Sequence, residues 1–566
     1  MYLGIDLGTT NSLAAIYRDG QAHLIPNAHG HVLTPSAVSL DDEGKLLVGL
    51  AARERLASHP QQTAVTFKRW MGTDKLTRLG NRDYRAEELS AMVLKSLKAD
   101  AEAYLGTEVL EAVVTVPAYF NDVQRRATKH AAELAGLKVE RLLNEPTAAG
   151  LAYGLQERQD HSTFLVFDLG GGTFDVSVLE YFDGVVEVRS SAGDTRLGGE
   201  DFVSVIEILF LKKCTNFSES DREHIIGSKA LWRAAEQAKR DFTELESVEM
   251  RFQWKDEVFT HSIQRAEFEL ASDDLIKRLR RPIERALGDA KLAPNELSEV
   301  VLVGGASRMP LVRQTVTKLF QRLPLRTINP DETIARGAAI QAALKARDAA
   351  LEEVVLTDVM PYSLGVIASE TINGRRFSDR FSPIIERNTA VPVSRVGSYN
   401  TVADNQAQIL FDIRQGESPI GSENMALGTL EIDVPPKPAG EVSVNVRLSY
   451  DANGMLEVEV KDAKQQVMAS KVIQPSGVSM SADDLAQALN RLQALKHHPR
   501  DQQENIYLVE RAKRLYEDRL GDQRQWLQKW IAQFEIAMDT QDAKEVARAR
   551  DEFRSALDSL DKGFVF

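Results

Sequence analysis

The chain of 566 residues is poor in cysteine, in long apolar runs and in basic charge. Its only cysteine, Cys214, cannot form an internal disulfide and is interpreted as a small packing residue. No apolar stretch approaches the length of a membrane span, and an apolar strand pattern from residue 2 leaves no room for a secretory leader. With 69 Lys and Arg against 83 Asp and Glu, the net charge of −14 disfavours nucleic acid and anionic membranes as partners. We therefore expect a cytoplasmic globular protein of several domains.

The two common nucleotide-binding motifs are also missing from the glycine-rich stretches, which match neither G-x-x-x-x-G-K-[ST] nor G-x-G-x-x-G. Instead, an apolar run over 164–167 leads into DLGGGTFD at 168–175. The run predicts a buried strand, and the three glycines predict a turn with positive φ angles and bare N–H groups that can wrap a phosphate. Asp168 and Asp175 would be placed to hold a hydrated Mg²⁺. Taken alone, such a pattern usually has no ligand.

The same pattern occurs at the start of the chain. An apolar run leads into DLGTTNS at 6–12, which again combines an aspartate, a tight glycine turn and hydroxyl donors. A third apolar strand, over 301–303, also ends in glycines, where a flat base could lie against the backbone. Two distant copies of one hairpin indicate an internal duplication, with two lobes facing each other across a nucleotide. This combination is typical of the actin-like ATPases.

Six motifs together carry a resemblance to a known family. They are GIDLGTTNS at 4–12, VPAYFND at 116–122, NEPTAAGLAYG at 144–154, DLGGGTFD at 168–175, GGED at 198–201 and VGGASRMP at 303–310. With them the chain resembles the seventy-kilodalton heat-shock chaperones of the DnaK type. The resemblance continues through a linker-like VVLTD at 354–358 to about residue 475. Departures from the common pattern, such as a shortened span after Lys68, are most similar to the divergent bacterial HscC branch.

The resemblance implies a multidomain fold of α/β, β and α parts. An actin-like two-lobed ATPase would occupy 1–353, followed by an interdomain linker over 354–360. An antiparallel β-sandwich that binds peptides would follow at 361–475, where apolar and polar residues alternate between turn signals. A short helical lid would complete the chain at 476–566.

The C-terminal part has a helical pattern of its own, which we expect to be broken at Pro499 and Gly521. Trp526, Trp530, Phe534 and Met538 recur there every four residues. This spacing favours the core of a helical bundle over a binding stripe.

Catalytic and metal-binding roles follow from the resemblance. The catalytic residues would be Lys68, Glu145, Thr173 and Asp175. Asp6 and Asp168 would bind Mg²⁺ through water, and K⁺ is a further candidate ion. From the residues alone, Lys68 would be a solvated surface lysine and Glu145 a helix cap. In the family, the matching lysine reaches the γ-phosphate and the attacking water.

A larger set would hold ATP or ADP. These residues are Gly8, Thr9, Thr10, Asn11, Gly170, Gly171, Gly172, Glu236, Lys239, Arg240, Thr243, Gly304, Gly305, Arg308 and Asp331. The four within 236–243 have spacings of three and four and share one helix face. Such a face is most often exposed and salt-bridged. The resemblance implies instead that it brackets the adenosine, with Arg308 stacked on the adenine.

Communication between the ATPase and the sandwich would depend on a few residues. In the family, residues matching Pro117, Arg125 and Glu145 sense the nucleotide, and the linker docks on the ATPase when ATP is bound. Asp358 at the end of VVLTD would make its hydrogen bonds only in the docked state. A short apolar run such as VVL is otherwise most often a buried strand.

The peptide groove would lie in the sandwich. The matching pocket positions are Val366, Ile409 and Phe411, and the arch over the peptide would fall near Ser369 and Val402. Ser369 replaces a larger apolar residue, so we expect weak general peptide binding and a narrow client range. Without the resemblance, Ile409 and Phe411 would simply be core residues.

The function implied is an ATP-hydrolysing chaperone of the stress response that binds unfolded or extended polypeptides and works with a J-domain co-chaperone. The segment 244–300 is shorter than in common relatives, so we expect no GrpE-type exchange factor. Three alternatives remain open: a metabolite kinase of the same superfold, an actin-like filament former, and a chaperone regulator with little peptide binding.

Overall fold

The computed structural model describes residues 2–41, 43–139, 142–154, 161–182, 185–214, 217, 219–226, 228–254, 257–325, 328–346, 355–372, 375–451, 454–473, 503–519, 521–540 and 543–561. These residues form two compact units. The first contains the described chain up to Tyr362 together with Glu386–Val391. The second contains Ser363–Ile385, the strands that follow Pro392 and the C-terminal helices.

The strands of the first unit are β1 (Tyr2–Asp6), β2 (Asn11–Arg18), β3 (Gln21–Leu24), β4 (Thr34–Pro35), β5 (Ala37–Leu40), β6 (Leu46–Val48), β7 (Thr63–Val65), β8 (Thr77–Leu79), β9 (Arg82–Tyr84), β10 (Glu111–Val116), β11 (Leu142–Asn144), β12 (Ser162–Leu169), β13 (Phe174–Phe182), β14 (Val185–Asp194), β15 (Ser247–Trp254), β16 (Glu257–Gln264), β17 (Glu299–Val303), β18 (Val355–Val359) and β21 (Ala390–Val391). Those of the second unit are β19 (Leu364–Ile372), β20 (Arg375–Ile385), β22 (Val393–Asn400), β23 (Gln408–Gln415), β24 (Met425–Asp433), β25 (Ser443–Tyr450), β26 (Leu456–Asp462) and β27 (Val467–Ile473).

The helices of the first unit are α1 (Leu50–Ser58), α2 (Ala86–Leu105), α3 (Asp122–Leu134), α4 (Glu145–Ala152), α5 (Gly199–Lys213), α6 (Glu219–Ile225), α7 (Lys229–Asp241), α8 (Arg265–Ala271), α9 (Asp273–Ala290), α10 (Pro310–Phe320) and α11 (Thr333–Lys345). Those of the second unit are α12 (Gln503–Asp518), α13 (Asp522–Thr540) and α14 (Ala543–Asp561).

Two central sheets give the first unit its two lobes. The first sheet has the order β11-β10-β1-β2-β3, and the second has the order β17-β12-β13-β14-β18-β21. In each, a strand–loop–strand hairpin lies antiparallel, β1 with β2 and β12 with β13, and its first strand also has a parallel neighbour. This shared order supports the predicted duplication.

Both faces of the second sheet are buried, which explains its almost continuous apolar strands. Along β12, Leu165 and Phe167 enter the core of the second lobe, whereas Phe164 and Val166 pack on the opposite face. The alternation follows the two-residue period of a strand. Asp168 therefore reaches the loop from a rigid, fully packed element.

Helix α11 packs against α4, β1 and β2 and joins the two lobes. This close packing is possible only because two of the residues at the contacts are glycines, which have no side chain. A Cβ at Gly337 would lie 1.8 Å from the carbonyl oxygen of Ala148, and one at Gly4 would lie 2.3 Å from the backbone nitrogen of Ala339. Helix α11 is thus held against α4 and β1 by direct backbone contact, and the cleft beside it is left for the polar residues.

The second unit contains an antiparallel β-sandwich, as predicted. One sheet has the order β20-β19-β23-β24 and the other β22-β25-β26-β27. Each sheet contributes fully buried apolar side chains. They include Leu364, Val366 and Ile413 on the first sheet and Val446 and Val458 on the second.

The C-terminal helices α12, α13 and α14 share a core. Phe534 and Met538 are buried in it and Trp530 packs against it, which confirms the bundle-core prediction for these residues, whereas Trp526 stays partly exposed. Gly521, with φ +64°, separates α12 from α13 at one predicted break, and the other, Pro499, lies outside the described residues. None of the helices in the described ranges has the length and apolarity that crossing a membrane requires.

Candidate functional site

A polar cavity of about 420 Å³ lies in the first unit, between the two lobes. Predicted residues form most of its wall, namely Asp6, Gly8, Thr9, Thr10, Asn11, Lys68, Glu145, Asp168, Gly170, Gly171, Thr173, Glu236, Lys239, Arg240, Thr243, Gly304, Gly305, Arg308 and Asp331. Gly172 and Asp175 are not among its lining residues. The structure therefore brings together residues that are up to 325 positions apart along the chain.

The two glycine loops approach each other at the centre of the cavity. The expectation that the glycines at 170–172 adopt positive φ angles is wrong, because none of them does. They are needed for close approach instead: a Cβ at Gly171 would lie 2.0 Å from Thr10 Oγ1, and one at Gly172 would lie 2.9 Å from Thr9 Cγ2. Only glycine lets the loops of the two hairpins come this near, and their backbone N–H groups can then face one ligand from two sides.

Asp6 and Asp168 line the cavity, and Asp175 is paired with Asp168 between β12 and β13; Asp168 and Asp175 are buried, whereas Asp6 is half-buried. Burial, and after it the charge of Glu145, raises the pKa of Asp6 and of Asp175 to about 7. The same causes, joined by the other aspartates, raise the pKa of Asp168 well above its usual value. Lys68 opposes the shift in each case. The site thus concentrates negative charge in a place that favours bound cations.

Asp6 and Asp168 fit a Mg²⁺ ion on these grounds, because a dication would offset the burial and repulsion that destabilise their charged forms. Thr115 donates to Asp6 Oδ1 at 3.4 Å, and Asp6 has no other side-chain donor among the described residues. Among the described residues, no group of three His, Cys, Asp or Glu side chains is arranged to ligate an ion directly. An ion would therefore be held largely through its own water shell.

Lys68 is not a surface lysine. Its side chain is only 4% exposed, and Nζ lies 3.1 Å from Glu145 Oε1. It belongs to a 3₁₀ turn, Phe67–Trp70, which Phe67 anchors in the core of the first lobe. Thr66, with φ +56°, bends the chain into this turn. The buried ion pair orients a positive charge into the cavity beside three carboxylates, where a phosphate would otherwise meet only repulsion.

The helix face predicted to bracket the adenosine forms ion pairs, but its side chains are only partly exposed to solvent. Glu236, at the cavity, pairs with Lys239 at 2.5 Å and with Arg240 at 2.9 Å. On the opposite wall, Arg308 pairs with Asp331 at 2.7 Å. These pairs hold long side chains in place on both sides of a gap that could take a flat base between guanidinium groups.

Sequence reasoning missed several residues at the cavity. Gly199, Leu33, Met309 and Ile334 also line it. Gly199 lies in the quoted GGED motif, so that motif could have revealed it. Met309 likewise lies in the quoted VGGASRMP motif, whereas Leu33 and Ile334 have no local signal, because their position at the cavity depends on how distant segments meet.

Arg69 is another residue that the sequence did not single out. It donates to the carbonyl oxygen of Arg196 at 3.0 Å and pairs with Asp201 at 3.2 Å, which ties the first lobe to the second beside the cavity. Its position next to Lys68 was the only available signal.

The predicted relay residues lie in one hydrogen-bonded chain. Arg125 donates to Asn144 Oδ1 at 2.7 Å, and Asn144 in turn donates to Asp358 Oδ2. Asn144 directly precedes Glu145, and it was not named as a site residue although it begins the NEPTAAG motif. Pro117 accepts a turn hydrogen bond from Phe120 N at 3.1 Å. The chain connects the start of α4, at the cavity, to β18.

The predicted linker forms strand β18, which pairs in parallel with β14 between Val185 and Val355, and continues to Glu187 and Thr357. Val354 and the side chains of Val355 and Leu356 lie outside the described residues. The ordinary interpretation of a short apolar run, a strand, is therefore confirmed, and docking of this segment in response to ATP stays a prediction.

The predicted peptide positions lie together in the first sheet of the sandwich and its loops. Val366 and Phe411 are buried, Ile409 and Ser369 are half-buried, and Val402 is 42% exposed. Tyr399, which was missed, packs edge-on against Phe411 with ring centroids 5.8 Å apart. Phe411 is therefore a core residue at least in part, whereas Ile409 and Val402 face outward enough to meet a ligand.

The first compact unit has twin glycine hairpins at a charged cleft, an arrangement typical of a nucleotide-binding domain. The second has a β-sandwich and a helical bundle. A family model described as Hsp70 protein matches residues 2–77 and 75–563, nearly the whole chain. The chain therefore belongs to the Hsp70 family, whose members are ATP-dependent chaperones that bind ATP or ADP with Mg²⁺.

Proposed function

We propose that this protein hydrolyses ATP in the cavity of its first unit and uses the reaction to control binding of extended polypeptides in the sandwich of its second. The observation that carries the proposal is the convergence of both glycine loops, the buried Lys68–Glu145 pair and the aspartates Asp6 and Asp168 on one cavity. Phosphoryl transfer needs positioning and charge neutralisation more than covalent chemistry, and this set supplies both.

Each residue has a role in this mechanism. Thr9, Thr10 and Asn11 hold the β- and γ-phosphates from one lobe, and Gly171 and Thr173 hold them from the other. Asp6 and Asp168 would hold Mg²⁺, which when bound would supply positive charge to neutralise the phosphates.

Lys68 places its positive charge at the γ-phosphate, and its ion pair with Glu145 holds it there. Glu145 and Asp175 orient the attacking water, and Asp175 is itself fixed by the backbone N–H of Tyr119 at 3.0 Å. Because every one of these groups is preorganised on packed elements, little energy is lost in arranging them during the reaction.

The adenosine lies between Glu236 and Lys239 on one side and Arg308 on the other. Their ion pairs keep the side chains extended across the gap. Arg125, Asn144 and Asp358 report the state of the cavity to β18.

A peptide-release experiment tests the proposal on the full chain. A fluorescein-labelled unfolded peptide is bound without nucleotide, ATP is added, and anisotropy and single-turnover hydrolysis are followed together. ATP should accelerate peptide release, and the Lys68→Ala variant should release peptide on binding ATP but fail to hydrolyse it. Hydrolysis with no effect on any bound peptide would favour the regulator alternative.

The client range should be narrow. Ser369 at the predicted arch contributes little apolar area, and losing a few tens of Å² is worth on the order of 1 kcal/mol at about 25 cal/mol per Å². Generic Leu-rich peptides should therefore bind weakly, and tight binding of such a peptide by anisotropy would contradict this.

We expect a J-domain co-chaperone as a partner. We also expect that no GrpE-type exchange factor is involved. The hairpin of β15 and β16 supports the second point, because each strand has 8 residues and only 255–256 lie between them. ADP release should then be intrinsically fast, and a stopped-flow trace accelerated many-fold by GrpE would argue against it. This short hairpin also supports assignment to the HscC branch, which stays a prediction.

A further inference from the structure

The edge of strand β19 is only partly paired. It pairs with β23 from Leu364 to Val366, whereas its pairing with β20 continues to Ile372. Within the described chain, the backbone of β19 beyond Val366 therefore has no strand partner on the β23 side. An open edge next to apolar side chains is what an extended peptide needs to add as a further strand. Ser369 lies on this open stretch, at one of the two predicted arch positions.

One arginine crosses from this edge to the other arch position. Arg376, on β20, donates from one terminal nitrogen to Ser369 Oγ at 3.3 Å and from the other to the carbonyl oxygen of Val402 at 3.1 Å. Its side chain is otherwise exposed. The guanidinium thus connects the two sides of the predicted arch, and the arch is closed by a cation rather than by apolar contact.

The surroundings of Arg376 leave its charge unneutralised. The nearby Arg380 lies 3.8 Å from Glu370 and stacks on Phe377 at 4.9 Å. Arg376 itself has no ion pair in the described part of the chain. A guanidinium has five N–H donors, of which the two arch contacts use two, so the others can bind a carboxylate.

We propose that Arg376 makes this protein select extended peptides with an acidic side chain beside the apolar residue that enters the pocket. The apolar residue would contact Ile409 and Val402, and the neighbouring Asp or Glu would pair with the guanidinium above it. The inference rests on the proposed function, because it names the client class of the same groove. It also gives a reason for the small Ser369: its hydroxyl, not its volume, is what the arch uses.

Three labelled heptapeptides test the inference on the full-length protein. They share a central leucine and differ only in its two neighbours, which are Asp, Asn or Lys. Fluorescence anisotropy with ADP should show the Asp peptide binding roughly tenfold more tightly than the Asn peptide, about 1.4 kcal/mol. The Lys peptide should bind most weakly. The preference should shrink as salt rises from low to high ionic strength, since exposed charges are screened.

Substitutions of Arg376 separate charge from structure. Arg376→Gln should remove the preference for the Asp peptide, and Arg376→Lys should keep part of it, because lysine retains the charge but not the planar fork. The matched control is Arg375→Gln, which removes the same charge one residue away. Neighbouring strand side chains point to opposite faces, so this control should keep the preference.

Each outcome decides the matter. Equal binding of the three peptides, or an equal loss for all three in Arg376→Gln, would overturn the selection by charge while leaving the proposed function intact. Failure of every peptide to bind in all nucleotide states would overturn the proposed function and this inference together. Retention of the Asp preference in Arg376→Gln would assign the selectivity to another residue and refute the role of Arg376.

Discussion

At the residue scale, the feature that dominates this protein is buried charge. Asp168, Asp175 and Glu145 are buried and Asp6 is half-buried around one cavity, and Lys68 is a buried cation paired with Glu145. Removing one member of such a set leaves the others without compensation, which is costly in a medium of low dielectric constant. A bound ligand that brings cations or hydrogen-bond donors would offset this cost. A complex of a metal ion and a nucleotide is such a ligand.

Replacing Lys68 with alanine should nearly abolish hydrolysis. Losing one preorganised charge next to developing negative charge costs about 3–4 kcal/mol, or roughly 10²–10³ in rate. ATP affinity should stay within a few-fold, because the loops and the adenosine pocket are intact. Single-turnover hydrolysis and calorimetric ATP binding measure the two separately.

The exposed Lys45 of the same lobe gives a matched control for that experiment, and Lys45→Ala should hydrolyse ATP at the normal rate. Wild-type turnover in Lys68→Ala would exclude Lys68 from the chemistry.

Replacing Gly171 with alanine should weaken ATP binding at least tenfold. The added Cβ would lie 2.0 Å from Thr10 Oγ1, so the two loops would have to separate. Gly288→Ala on α9 is the control, because its Cβ would meet nothing within 4 Å. A helical Gly→Ala change of this kind should stabilise the protein by about 0.5–1 kcal/mol. Titration calorimetry gives the affinities, and equal affinity in both variants would mean that the loops do not share the phosphates.

At the element scale, we propose β18 as the element through which the state of the cavity is passed on. It lies between β14 and β21 in the second sheet, and Asp358 at its end is bonded to Asn144 at the start of α4. A strand is held by a row of backbone hydrogen bonds, so it is either paired or released as a unit. Such an element has two discrete states that nucleotide can bias.

Proline in place of Thr357 should uncouple the units. It would remove a backbone donor within β18 opposite Glu187 and disfavour the paired strand. Basal hydrolysis should persist, whereas J-protein stimulation and ATP-triggered peptide release should be lost, as also in Asp358→Ala. Thr357→Val is the control: Thr357 Oγ1 is buried without a partner among the described residues, so valine should be tolerated. Normal stimulation of Thr357→Pro would show that β18 is only structural.

At the scale of the whole molecule, the chain consists of two compact units with separate cores. Units that each bury their own apolar residues can unfold separately, so a single free energy of unfolding does not describe the chain. A ligand that binds one unit should stabilise that unit by mass action.

Scanning calorimetry with ADP checks this organisation. At 1,000 times its Kd, ADP should add about 4.1 kcal/mol to the stability of the first unit and raise its transition, while the transition of the second unit stays unchanged. An acidic heptapeptide of the kind proposed above should do the reverse. One cooperative transition that moves as a whole with either ligand would contradict independent units.

The sequence by itself determined the local structure of this protein. Asn121 caps α3 with its side chain on Gln124 N at 2.9 Å, and Gly521 ends a helix, because both effects act between residues next to each other along the chain. The repeated Asp-Gly hairpins and the alternating strands of the sandwich were predictable for the same reason.

Only the tertiary structure decided which distant groups meet. Lys68 becomes a buried partner of Glu145, Gly171 is required by Thr10 and not by its own φ angle, and Arg376 donates to both Ser369 and Val402. The burial of a charge and the space beside a glycine depend on topology, and no local pattern contains that information. For this reason the motifs predicted a nucleotide site. The burial and pairing of its charged side chains, and the contacts of Arg376 at the predicted peptide groove, could be known only from the fold.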